Sequence, residues 1–307
     1  MPSVGRTRLR SSTMSSADKK RSTWWVLLEA NLAMVAMSTS GPLGRYISLP
    51  PHIVICVRCL SGAFLLFLFC KILSVPVKLR NRKDFWRITL IGVLLVSHWT
   101  TYFLALQLSS VAVGMLSLFT YTVIAAFLEP VFLKTRFEPI YILFGIMSLT
   151  GVALLMPSLD FGDSYVQGVL FGLLSAFLYV FRNLLLKPIS ASYSSIPLMF
   201  NQLLIGGVLL SPFLLFQNGS DIVEEWPWLL LLAIVTTAIG HTMFVKVLAS
   251  FSVTSISILT AIQPVYGILM GMFFLSEVPS PKAIIGGVLI LLTVVLESIR
   301  NSLKSNS

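Results

Sequence analysis

Residues 98–154 read HWTTYFLALQLSSVAVGMLSLFTYTVIAAFLEPVFLKTRFEPIYILFGIMSLTGVAL, and residues 240–296 read GHTMFVKVLASFSVTSISILTAIQPVYGILMGMFFLSEVPSPKAIIGGVLILLTVVL. Laid over one another without a gap, they share Thr100/Thr242, Ser110/Ser252, Val111/Val253, Phe132/Phe274, Leu133/Leu275, Pro139/Pro281, Ile142/Ile284 and Gly145/Gly287. Leu-rich helices match by chance at apolar positions. Prolines, glycines and serines in a common register mark an internal repeat. Nearer the front the register slips by two, and Arg58-Cys-Leu-Ser-Gly-Ala lies over Gln202-Leu-Leu-Ile-Gly-Gly. The chain is one unit written twice.

The solvent around that unit follows from composition. Of 307 residues, 56% are hydrophobic and 11% charged, against about 25% charged in a soluble domain. So little polar surface cannot cover the molecule in water, and its outside must face lipid. A span needs about 20 mostly apolar residues to cross a ~30 Å hydrocarbon core. Runs of that kind lie near 24–44, 52–73, 85–106, 110–133, 139–157, 165–186, 196–216, 227–249, 253–275 and 281–298. The net charge of +10 does not form a stripe suited to nucleic acid; it gathers in alternate connections. Arg6, Arg8, Arg10, Lys19, Lys20 and Arg21 precede the first run, and Lys78, Arg80, Arg82, Lys83, Lys134, Arg136, Lys187, Arg300 and Lys304 follow the same side. Asp160, Asp163, Asp221, Glu224 and Glu225 lie on the other, with Arg45 and Lys282 as exceptions. Positive charge stays cytoplasmic, so both termini are expected there. Trp24, Trp25, Trp86, Trp226 and Trp228 fall at predicted helix ends, as interfacial anchors do.

Ten spans in two equal halves give five per half, and an odd number inserts the second half upside down. The expected fold is therefore all-α: a polytopic membrane protein of ten transmembrane helices in two inverted five-helix repeats. The expected divisions are a basic cytoplasmic tail at 1–23, repeats at 24–157 and 165–298, and a cytoplasmic tail at 299–307. The first tail is rich in Ser and Arg with one acid, Asp18, which also suits an organelle transit peptide; Met14 is an alternative start. Inverted repeats are a recurring plan of secondary transporters, whose two halves exchange conformations to alternate access.

The segments ALQLSSVAVGMLSLFTYTVIAAFLEPVFLKTRFEPIYILFGIMSLTGVALL and VLASFSVTSISILTAIQPVYGILMGMFFLSEVPSPKAIIGGVLILLTVVL each resemble the end of an EamA-type permease repeat of the drug/metabolite transporter superfamily. That pattern runs from a small-residue helix start through a central Pro to a terminal Glu and a Gly-containing last helix. Pro264, Glu277, Gly286 and Gly287 fit it in the second half. The first half departs, with Thr122 in place of the Pro and Thr135 in place of the Glu, and with Glu129 or Glu138 as substitutes. The resemblance, from about residue 26 to 298, implies ten helices around a central cavity and transport of a small solute.

Ionisable groups inside spans cost about 2.5–3.5 kcal/mol at helix centre on insertion scales and mark pathways. His98 and His241 lie at matching depth in the third and eighth spans, one position apart in the repeat. Each is either a cavity ligand or a neutral ring bonded to a neighbouring Ser or Thr. Tyr102 shares the His98 face, while Trp99 and Thr101 are expected to point elsewhere. Phe244 is the comparable residue beyond His241, and Tyr121 and Gln263 are repeat equivalents. Pro264 after Gln263 frees the carbonyl of residue 260 and invites a kink. Arg58 lies ~9 Å deep, either to grip an anion bidentately or to snorkel to headgroups. These seven form the candidate substrate cavity. Glu29, Glu129, Arg182 and Lys246 fall in the cytoplasmic third of their spans and suggest an inner ring of ion pairs for gating or proton coupling.

Cys56, Cys59 and Cys70 share one apolar run without a metal cluster and read as small buried residues. Asn218-Gly219-Ser220 is a glycosylation sequon on the non-cytoplasmic side, of use only in a eukaryotic secretory pathway. No cofactor, metal or nucleic acid is expected as a partner; a small solute, the bilayer, and a coupling proton or counter-substrate are. The expected function is secondary transport of small polar metabolites, amino-acid-like or organic, by export or exchange across the plasma membrane. An organellar sugar-phosphate or nucleotide-sugar exchanger is the alternative. A membrane-embedded enzyme needs clustered acids that the spans lack, a receptor leaves the repeat unexplained, and no Walker motif supports ATP-driven transport.

Overall fold

The structure is a computed structural model that describes residues 23–133, 137–158, 160–190, 192–244 and 260–305. In the first half the helices are α1 (Thr23–Ser38), α2 (Ser40–Tyr46), α3 (Pro51–Ile72), α4 (Arg82–Leu108), α5 (Val111–Phe119), α6 (Tyr121–Leu133) and α7 (Ile140–Leu155). In the second they are α8 (Ser164–Ser190), α9 (Ser195–Leu210), α10 (Gly219–Glu224), α11 (Trp226–Leu231), α12 (Gln263–Leu275) and α13 (Pro281–Ser305). A 3₁₀ turn, Ser211–Phe216, extends α9, and a π-helical stretch, Leu232–His241, extends α11. The last helix runs beyond the boundary expected at 298.

Among the described residues six helical stretches are long and apolar enough to cross a bilayer: Pro51–Ile72, Arg82–Leu108, Val111–Phe132, Ser164–Ser190, Ser195–Phe216 and Trp226–Phe244. Ile140–Leu155 and Gln263–Leu275 are apolar but shorter. Large side chains such as Phe64, Val131, Leu149, Val208 and Phe273 project outward, while Arg58, Ser175, Gln202 and Thr237 are buried. A greasy exterior around a polar interior is the inverse of a soluble domain. The chain is a polytopic integral membrane protein.

Local chemistry fixes where the helices start. Pro51 opens α3, where its missing N–H costs nothing. Asn81 Oδ1 accepts from the Asp84 amide at 2.8 Å to cap α4, and Ser110 Oγ accepts from Val113 at 3.2 Å to cap α5. Two spans break near their middles, between α1 and α2 at Thr39 and between α5 and α6 at Thr120. At each break the threonine hydroxyl donates to the carbonyl three residues back, Ala36 (2.7 Å) and Ser117 (2.7 Å). Backbone left open by a break inside a membrane has to be satisfied by protein, and these hydroxyls supply part of that. The α12 helix begins just after a turn at Ile262, with Pro264 in its first turn.

The packing is pairwise: α3 lies against α9, α4 against α8, α5 against α12, α7 against α13, and α1 against the π-helical stretch. Small residues allow close approach. The closest approach of backbone to backbone at a glycine joins α7 to α13, where a Cβ on Gly151 would meet the Gly286 carbonyl oxygen at 2.7 Å, and one on Gly286 would meet that of Gly151 at 2.5 Å. Backbone faces backbone there, so no rotamer change relieves the clash. Gly286→Ala is expected to destabilise by about 1–3 kcal/mol through overpacking, measured by reversible SDS unfolding. Gly219→Ala, with nothing within 4 Å of the new carbon, serves as the control and should change stability by less than about 0.5 kcal/mol.

Candidate functional site

The broken helices and the centres of α3, α4 and α8 enclose a narrow cavity of about 40 Å³, lined by Met37, Ser40, Arg58, His98, Trp99, Tyr102, Leu118, Phe119, Tyr121, Tyr179, His241 and Gln263. Each buried water needs about 10–15 Å³ of such space, so this conformation holds a few waters and no metabolite. Six of the seven residues expected to share a cavity do so: Arg58, His98, Tyr102, Tyr121, His241 and Gln263. Phe244 does not. It is buried among Ala33, Met34 and Met37 of α1, because three residues past His241 is about 60° short of a full turn and the face has moved to the next helix.

Trp99 corrects the opposite expectation: it lines the cavity and is 2% exposed. The cavity spans a sector wide enough to take in both 98 and 99, which lie 100° apart on α4. The strict repeat register pairs Trp99 with His241, and those two rings pack edge to face at 5.1 Å. Tyr179 and Ser40 also went unforeseen. The signal for Tyr179 was a polar stripe on α8, Ser175, Tyr179 and Arg182, at spacings of four and three.

Both histidines are held by one edge. His98 Nδ1 lies 2.7 Å from Ser175 Oγ and 3.0 Å from the Ser175 carbonyl, while the Ser175 hydroxyl donates to the His98 carbonyl at 2.9 Å. A hydroxyl has one hydrogen, already used, so Nδ1 must be the donor. His241 Nδ1 lies 2.8 Å from the Thr236 carbonyl, which can only accept. These partners assign both neutral rings as Nδ1–H tautomers and leave each Nε2 a free lone pair.

Arg58 turns inward and does not snorkel. It is 1% exposed, its guanidinium carbon stands 3.7 Å over the Trp99 ring, and Nε donates to Thr237 Oγ1 at 2.7 Å. Its Nη2 is buried without a partner. The Thr237 hydroxyl in turn donates to the Leu232 carbonyl five residues back, at 3.2 Å, the spacing of the π-helical stretch. A π-helix is rare and frequent at functional sites; here it carries both Thr237 and the His241–Thr236 bond. Tyr121 donates to Thr260 at 3.1 Å, and Ser38 bridges the breaks by donating to the Gln263 carbonyl at 2.9 Å.

Of the residues expected in an inner ring of charges, Arg182 and Glu129 have the following partners. Among the described residues Arg182 donates to Gln202 Oε1 (2.8 Å) and Asn183 Oδ1 (3.0 Å), and Glu129 pairs with Lys187 at 3.6 Å. Arg182 lies on the inward stripe of α8, 2% exposed, so it turns to the interior and away from the acids. Glu29 is half-buried on α1, and Lys246 lies outside the described residues.

One end of the bundle is closed by a cluster the sequence showed only as an unexplained Glu. Glu277 Oε1 takes Arg45 Nε at 2.8 Å, and its Oε2 accepts from the Val111 amide, in the first turn of α5, at 2.8 Å. Arg45 Nη1 also donates to the Gln107 carbonyl at 2.7 Å. The residue before Glu277, Ser276, is left-handed (φ 56°) and turns the carboxylate back over the helix ends. This latch ties α2, α4 and α5 of the first half to the end of α12 in the second. In a background lacking the three cysteines, a cysteine at Ser40 is expected to react with maleimide roughly tenfold faster when Glu277 is changed to Ala, given a charged hydrogen bond worth about 1.5–3 kcal/mol. An unchanged rate, read by mass spectrometry, would show that this cluster does not restrain opening.

Comparison with known proteins bears directly on this arrangement. Residues 24–156 and 166–299 each match the model of the EamA-like transporter family. An uncharacterized transporter of Archaeoglobus fulgidus is 29% identical over 244 residues, covering 77% of this chain and 86% of its own. A solved crystal structure aligns with a TM-score of 0.61 at 19% identity, over 90% of this chain and 98% of its own, a likeness of fold alone.

Proposed function

Because the chain belongs to the EamA-like transporter family, we propose that it is a secondary transporter of small polar organic solutes, working by alternating access around the cavity that His98, Trp99 and His241 line. The family points to transport and away from catalysis. In this reading ten membrane-spanning helices form two inverted repeats, 24–157 and 165–298, with both termini cytoplasmic in the plasma membrane. Movement is by export or exchange.

The observation that carries it is that repeat-equivalent residues meet around one polar cavity. Trp99 faces His241, and Tyr121 and Gln263 line the same space. The helix pairs support the same symmetry: α3 with α9, α5 with α12 and α7 with α13 each join a span to its own counterpart. Breaks at Thr39 and Thr120 place irregular backbone where it lines a cavity, as in other carriers. The small volume and the Glu277 latch fit an occluded state, which opens to admit solute. Glu29, Glu129 and Lys246 remain candidates for the inner gate or for proton coupling, with Arg182 supporting the cavity floor through Gln202.

Full-length protein in liposomes is expected to show saturable, counterflow-stimulated uptake in a screen of labelled amino acids, organic acids, sugar phosphates and nucleotide sugars. His98→Phe and His241→Phe should each reduce it about fivefold or more, the loss of one hydrogen bond of ~1 kcal/mol. Folded protein that moves none of these classes would overturn the transport reading. Orientation is tested separately. A cysteine at Asn218 should label with an impermeant reagent from outside whole cells and one at Asn81 only after permeabilisation; the reverse pattern would invert the topology.

A further inference from the structure

The charge of this cavity is unbalanced. Arg58 meets a hydroxyl, from Thr237, and two aromatic faces, Trp99 at 3.7 Å and Phe103 at 5.9 Å. Among the described residues that line the cavity there is no Asp or Glu. A cation taken fully out of water needs a counter-charge and acceptors for its remaining N–H groups, and a ring face supplies only part of that. Arg58 Nη2 is fully enclosed and has neither. The other buried guanidinium, Arg182, stands outside the lining and gives its two Nη groups to the amide oxygens of Gln202 and Asn183, with Nε alone left without a partner. One negative head group is therefore what the cavity lacks.

The acceptors around it are as informative. With Nδ1 of His98 bound to Ser175 and Nδ1 of His241 bound to Thr236, the nitrogen each ring has left for an occupant is the unprotonated Nε2. That nitrogen calls for a donor on the solute. His241 packs on the same Trp99 ring that Arg58 overlies, so anion site and acceptor site are neighbours. Tyr102, Tyr121, Tyr179 and Phe119 supply flat walls for an apolar or ring-bearing body.

Resting on the transport reading above, we infer that the solute is a small organic acid with a single carboxylate and a hydrogen-bond donor beside it, an α-hydroxy acid or a zwitterionic α-amino acid. Its carboxylate sits on Arg58, and its ammonium or hydroxyl donates to an imidazole Nε2. A phosphate monoester carries a second negative charge, and among the described lining residues Arg58 is the one cation to meet it.

The test uses full-length protein in detergent and in liposomes, with four matched probe sets built on alanine, leucine and phenylalanine: the amino acid, the 2-hydroxy acid, the amino-acid amide and the decarboxylated amine. Binding is read from intrinsic fluorescence, to which Trp99 contributes, and transport from uptake. Wild type should bind and move at least one amino or hydroxy acid and discriminate against its amide and amine by roughly tenfold to a hundredfold, the worth of a charged hydrogen bond. Arg58→Gln should erase that discrimination while its thermal unfolding stays cooperative, and Arg58→Lys should restore part of it. Competition by glycerol phosphate should be weak. If wild type moves amides, amines or phosphate esters as well as carboxylates, or if Arg58→Gln keeps full preference, the carboxylate assignment is wrong and transport still stands. If folded wild type neither binds nor moves any probe class, the transport reading falls and this inference with it.

Discussion

Hydrocarbon offers no hydrogen-bond partner, and this chain is organised around that fact. Every polar group at membrane depth has to find its partner inside the bundle. The breaks at Thr39 and Thr120 are closed by their own hydroxyls, Ser38 bridges to the Gln263 carbonyl, and His98 and Ser175 bond each other twice. With the polar atoms drawn to one level, the apolar atoms are free to cover the outside. The cavity is thus a by-product of where the backbone is broken as much as of which side chains line it.

What was legible in the sequence was whatever the repeat carried. Hydropathy marks the apolar runs, six of which are helices long enough to cross among the described residues, and Tyr121 and Gln263, equivalent by register, line one cavity. Trp99 was misplaced because a helical wheel was trusted over the register, which pairs it with His241. Phe244 stands at the register position of Tyr102, yet it packs on α1 while Tyr102 lines the cavity. The two halves are equivalent only approximately near the site, and the π-helical stretch Leu232–His241 occurs in one of them. Nothing local distinguishes LAIVTTAIGH from an ordinary apolar helix. Its widening depends on tertiary partners such as Arg58 and Thr39, which hold Thr237 and Thr236 by their hydroxyls.

The Arg182 result teaches the same lesson about charges. Counting two acids and two bases at one depth suggested a ring, but depth is one coordinate and azimuth the other. Arg182 shares its azimuth with Ser175 and Tyr179 and so belongs to the interior. Lys187, five residues on, takes Glu129 instead. Gln202, which the repeat aligned with Arg58, accepts from Arg182, so each half places a polar residue at this position of its second span.

The Glu277 latch is not repeated residue for residue in the sequence of the other half. The equivalent position in the other half is Thr135, which carries no charge to clasp an arginine or to cap a helix start. The two mouths of a symmetric carrier are interchangeable, and the free energies of opening them are equal by construction. At the opposite end Glu138 pairs with Arg300 and Glu129 with Lys187, so both ends carry ion pairs that salt screens, but the pairs join different elements. In the transport reading, that difference in what each pair ties together makes the two sides open at unequal cost.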